Sequence, residues 1–71
     1  MRGADFIRKV QKLAKARGAL CRFEATRGKG SHGMLYLGNR QTVVPNPTRE
    51  LKTGTLHAML KQLGITLDDL R

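Results

Sequence analysis

Apolar residues recur at helical spacing near both ends of this chain and alternate with polar ones in between. Over Ala4 to Ala16, Phe6, Val10 and Leu13 share one side, with Ile7 and Ala14 at its border and Arg8, Lys12 and Lys15 opposite. The spacing predicts a helix whose apolar stripe faces a core. Asp5 in the first turn suits the helix dipole, and Gly18 offers the stop. The opposite stripe is cationic and reads as carrying no acid.

Residues 19 to 26 then alternate with the period of a strand. Ala19, Cys21, Phe23 and Ala25 form the expected inward set, against Leu20, Arg22, Glu24 and Thr26. A second strand is predicted over His32 to Leu37. Gly33, Leu35 and Leu37 point to the core in this reading, and His32, Met34 and Tyr36 share the outward side. Gly38-Asn39 is a turn signal, and Gln41 to Val44 is a third strand paired as a hairpin with the second. Pro45 and Pro47 end it, because proline cannot donate to a ladder. Thr53 is a good N-cap for a second helix, with Leu56, Met59, Leu60 and Leu63 on one stripe and Gly64 at its close. Thr66 to Asp69 has the form of a capping box opening one last short turn.

The order is α-β-β-β-α, an α+β fold in one domain over 1–71. Each helix has a single apolar stripe, so both should lie on one face of a three-stranded antiparallel sheet, leaving the other face free.

The connection between the first two strands carries the densest chemistry. Gly28-Lys29-Gly30-Ser31-His32-Gly33 sets three glycines beside a lysine, a serine and a histidine. Glycines let another molecule approach the main chain, and lysine and hydroxyl groups suit a phosphate. Histidine titrates nearest to neutral pH and can take or give a proton. A plain hairpin loop that happens to hold a histidine is the competing account of this stretch.

Composition narrows the class. Fourteen lysines and arginines against five acids give a formal net charge of +9, with a pI of about 11.0. That balance is the footprint of a nucleic-acid binder, and it suits an acidic protein partner equally. A membrane surface is disfavoured, since the chain has no tryptophan and few aromatic residues to anchor it. The single cysteine, Cys21, forms no internal disulfide and no cysteine-based zinc cluster, which fits a cytoplasmic setting. No apolar run is long enough for a signal peptide or a membrane span.

Gly30-Ser31-His32, Thr42-Val43-Val44-Pro45, Glu50-Leu51, Gly54-Thr55-Leu56 and the run Leu60 to Ile65 together resemble the HicA family of toxin RNases. The likeness covers almost the whole chain. It implies a fold like that of the double-stranded-RNA-binding domain, a metal-independent and ribosome-independent cleavage of mRNA without a cofactor, and a cognate HicB-type antitoxin. It also implies that His32 is the catalytic residue. Many relatives carry another histidine or basic residue after the proline that closes the third strand, where this chain has Asn46.

An RNase needs a base for the 2′-hydroxyl proton, help for the charged phosphorane and an acid for the leaving oxygen. His32 suits the base. Lys29, Gly30 and Ser31 suit the phosphate oxygens. Water, Tyr36 and protonated His32 remain as candidates for the acid. Arg8, Lys12 and Lys15 offer an RNA-binding stripe, and Tyr36 offers a ring to stack a base or to pack on a partner. His57, beside the polar side of the second helix, reads as an ordinary surface histidine. Two other classes keep the same basic surface without needing His32: a non-catalytic RNA-binding module and a basic protein-interaction domain.

Overall fold

The computed structural model describes residues 1–25 and 32–71. The first apolar stripe lies on α1, Gly3–Arg17, where Phe6, Ile7, Val10 and Ala14 are buried. Three strands follow: β1, Cys21–Ala25; β2, Gly33–Leu37; and β3, Arg40–Val44. The second helix, α2, spans Thr53–Leu63, and a short 3-10 turn covers Asp68–Leu70. The sheet is antiparallel in the order β1-β2-β3, so β2 is central.

Register explains the core. Phe23, Leu35 and Thr42 stand directly opposite one another, and so do Ala25, Gly33 and Val44. Directly opposed residues share a face. On this inward face Leu35 and Val44 are fully buried, and they join Phe6 and Val10 of α1 and Met59, Leu60 and Leu63 of α2 in one cluster. Both helices therefore cover the same side of the sheet, as the two stripes predict. Thr42 is buried on that face, and its Oγ1 donates to Gln62 Oε1 at 2.5 Å, tying β3 to α2. Arg40, also inward by register, lays its guanidinium beside Gly64 at the C-terminal end of α2, where a cation is favoured by the helix dipole.

Local structure departs from expectation at element ends. β1 starts at Cys21 rather than Ala19, and Ala19 and Ala25 are exposed rather than core. An edge strand has one neighbour, so its ends are buried only where a helix reaches them. Thr26, expected in β1, and the connection Arg27 to Ser31 lie outside the described residues. His32 stands one residue before β2 instead of opening it. β3 gains Arg40. Thr53 is the first helical residue of α2, not its cap; Lys52, with an extended backbone, holds the cap position, and its carbonyl accepts the Leu56 N–H. The Thr66 capping box forms in both directions: Thr66 N–H donates to Asp69 Oδ2 at 2.8 Å and Asp69 N–H to Thr66 Oγ1 at 3.3 Å.

The start of α1 is sealed by a distant segment. Gly3 N–H donates to Arg49 O at 3.2 Å and Ala4 N–H to Pro47 O at 2.9 Å, satisfying amides that a helix start otherwise leaves open. Asn46 shapes that segment. Its Oδ1 accepts from Thr48 N–H at 3.0 Å and from Thr48 Oγ1 at 2.8 Å, an Asx-type turn.

Candidate functional site

His32 is exposed and immediately precedes the central strand. The residue that fixes its position is Gly33. A Cβ at Gly33 would stand 2.1 Å from Phe23 Cζ, so the Phe23 ring of β1 lies over the bare glycine. Glycine is required there by close approach. Gly33 is also paired on both sides, with Ala25 and Val44. His32 is thus held one peptide from the most constrained strand, with its own side chain at the surface. Lys29, Gly30 and Ser31, the expected phosphate-holding residues, lie outside the described residues.

The cations of α1 do form a common surface. Arg8, Lys12 and Lys15 are exposed, and so is Lys9, which sequence periodicity did not single out. Arg8, Lys9 and Lys12 line a shallow depression of about 530 Å³ that reaches Arg71. The expectation that this side carries no acid is corrected. Asp5 Oδ1 accepts from Arg8 Nη2 at 2.5 Å, and Asp69 Oδ1 pairs with Arg17 Nη2 at 3.1 Å. The pairs arise because Asp5 is three residues from Arg8 on one helix and because the 3-10 turn folds back against α1. Lys9, Lys12 and Lys15 have no ion-pair partner among the described residues.

Both carboxyls are held below the usual range. For Asp5 the first cause is the Arg2 backbone N–H, 3.0 Å from Oδ2, with Arg8 adding to it. For Asp69 it is the Thr66 backbone N–H, then Thr66 Oγ1 and Arg17.

Tyr36 occupies a different setting. It is half-buried on the sheet face away from the helices, directly opposite Arg22 of β1 and Gln41 of β3. The Arg22 guanidinium lies 4.7 Å from its ring centroid, a cation–π contact. Along β2, Tyr36 stands about 13 Å from His32, at roughly 3.3 Å per residue. The two do not form one pocket.

His57 is exposed on α2, in keeping with an ordinary surface residue. Cys21 is half-buried, and burial pushes its thiol up, so it stays protonated at neutral pH. Arg49 and Lys52, both exposed, flank a smaller depression of about 270 Å³ near the start of α2. Sequence periodicity gave no reason to group them, since neither lies on a helix face. Among the described residues, no helix is long and apolar enough to cross a membrane.

The model of the family described as HicA toxin of bacterial toxin-antitoxin matches residues 7–65. Neither a curated protein nor a solved structure matches the chain.

Proposed function

The chain belongs to the HicA toxin family of bacterial toxin–antitoxin systems, and from that premise we propose that it is an endoribonuclease that cleaves mRNA without a metal ion. His32 is the general base in this reading, and a cognate HicB-type antitoxin inhibits the enzyme. The observation that carries the reading is the family match itself. It spans the stretch that contains Gly30-Ser31-His32.

RNA brings its own nucleophile. His32 takes the proton of a 2′-hydroxyl, the resulting oxygen attacks the adjacent phosphorus, and the bond to the 5′-oxygen breaks. That oxygen leaves with a proton from an acid, and the other product ends in a 2′,3′-cyclic phosphate. Lys29 and the backbone amides around Gly30 and Ser31 stabilise the charge that develops on the phosphate oxygens. Arg8, Lys12 and Lys15, with Lys9, hold the phosphates of the flanking strand. The exposure of His32 supports the assignment, because a polymer substrate must reach the base without entering a cavity. An mRNA target places the protein in the cytoplasm.

His32→Ala and His57→Ala, assayed on one long RNA with EDTA present, test the reading. Loss of a general base costs about 10²- to 10⁴-fold in rate. His32→Ala is expected to lose that much while melting like the parent, His57→Ala to keep most activity, and the product ends to carry a cyclic phosphate. Cleavage by His32→Ala at the parent's rate would remove the catalytic assignment.

A further inference from the structure

Val44 closes β3 opposite Gly33, and the β2–β3 register taken one step further sets His32 beside Pro45. Directly opposed residues of an antiparallel pair have their Cα atoms about 5 Å apart. The segment that begins at Pro45 is therefore the histidine's neighbour across the ladder. Residues 45–52 form no helix or strand, yet they are braced along their length. Arg49 N–H donates to Asn46 O at 3.0 Å, which folds the chain back, and the carbonyls of Pro47 and Arg49 are taken by the start of α1. Leu51 N–H donates to Met1 O at 2.9 Å, and Arg2 bridges to Glu50. A Cβ on Gly3 would stand 2.8 Å from Pro47 Cα, so α1 packs directly on the segment.

Arg49 and Lys52 project from that frame. Both are exposed, and neither has an ion-pair partner among the described residues. The acid between them, Glu50, is taken by the N-terminal amine. The two cations flank the depression of about 270 Å³ whose wall includes Pro45 and Leu51. Pro45 thus joins the depression to the histidine's end of the ladder.

We propose that Arg49 and Lys52 form a phosphate subsite of the RNase, which holds the nucleotide next to the scissile bond in this depression, its phosphate between the two cations. The proposal rests on the RNase reading above and gives its substrate a second point of attachment.

A strand that is cut at His32 carries a phosphate on every nucleotide, so it brings a neighbouring phosphate to the Pro45 side one nucleotide away. Cations that no acid occupies are what such a phosphate needs. The braced backbone fixes where they stand before RNA arrives, which lowers the cost of ordering the site. The same segment closes the start of α1, so the subsite links His32 to the helix that carries Arg8, Lys9 and Lys12.

Arg49→Gln and Lys52→Gln test it, each made in a His32→Ala background so that the RNA stays whole. The probe is a short unstructured single-stranded RNA with a fluorescent end, its affinity read by anisotropy across a salt series. Lys61→Gln is the control. It removes the same single charge from an exposed residue in the last turn of α2, about 14 Å along the helix from Lys52. Each of the two variants is expected to weaken binding about fivefold or more in low salt and to flatten the log–log salt slope by about 0.7, with melting as in the parent. Arg49→Lys keeps the charge and should keep the slope. In the protein with His32 restored, Arg49→Gln and Lys52→Gln should raise KM and leave kcat near the parent's. Unchanged affinity and slope in both variants overturn the proposal. Equal flattening by Lys61→Gln overturns it in favour of the diffuse field of the whole chain. A fall in kcat at unchanged KM overturns it as well, because the cations would then act on the reacting phosphate. A parent that cuts no RNA while both variants still flatten the slope would fail the RNase reading alone, since the binding measurement needs no cleavage.

Discussion

The two faces of the sheet are built from the same three strands by alternate residues and serve opposite ends. On the inward face Leu35, Leu37, Thr42 and Val44 are buried beneath both helices. On the outward face Val43 is half exposed and Tyr36 rests against Arg22. Val43 and Val44 are neighbours in sequence with the same side chain, yet one is 48% exposed and the other 0%. The residue type does not decide the role; the pleat and the helices above it do. The inward face spends its apolar surface on folding, and the outward face keeps its own available.

The sharpest way to break this comparison is on the inward side. Leu35→Ala removes a fully buried side chain opposite Phe23 and Thr42, and it should cost about 2–5 kcal/mol of stability. Chemical denaturation reads it, and a cost below 1 kcal/mol would mean the core is not where register puts it.

Next in size is Gly33→Ala. The new Cβ meets the Phe23 ring, so the ring or the strand must shift, at about 1–3 kcal/mol. In a Phe23→Ala background the same change should cost less, a coupling that a double-mutant cycle measures. Equal costs in both backgrounds would show that the ring does not lie over the glycine.

The smallest expected effect is on acid stability. The Asp5 and Asp69 carboxyls are depressed in the folded chain, so the stability they contribute is fully present above the ordinary carboxylate value of about 3.9 and is lost as pH falls through their lower folded values. The melting temperature should drop below about pH 4, and Asp69→Asn should flatten that drop. An identical acid profile for Asp69→Asn would show that the Thr66 contact does not bias its titration.

Much of this was legible beforehand because it is local. A 3.6-residue period needs only the residues of one helix, and both stripes emerged with their predicted apolar members in the core or packed against it. A capping box needs four residues, and Thr66 and Asp69 form theirs. Strand ends were less legible. Ala19 and Ala25 fit the alternation, but burial at an edge depends on whether a helix reaches that far. The same limit applied to Thr53, whose side chain suits a cap while the chain direction set by Lys52 places the helix start one residue earlier than a Thr53 cap would.

From the sequence alone came the element order, the inward residues of β2, the basic character of α1 and the motif that singles out His32. Each depends on neighbours a few positions apart. Tertiary structure alone decided that the segment from Asn46 to Arg49 closes the start of α1, more than forty residues away in the chain, and that Phe23 covers Gly33 beside the histidine. It alone paired Arg17 with Asp69 and set Leu20 and Val43 beside the Met34 and Tyr36 side of β2. Such contacts join residues whose separation along the chain carries no period, and only the closing of the sheet and the packing of the helices on it bring them within reach.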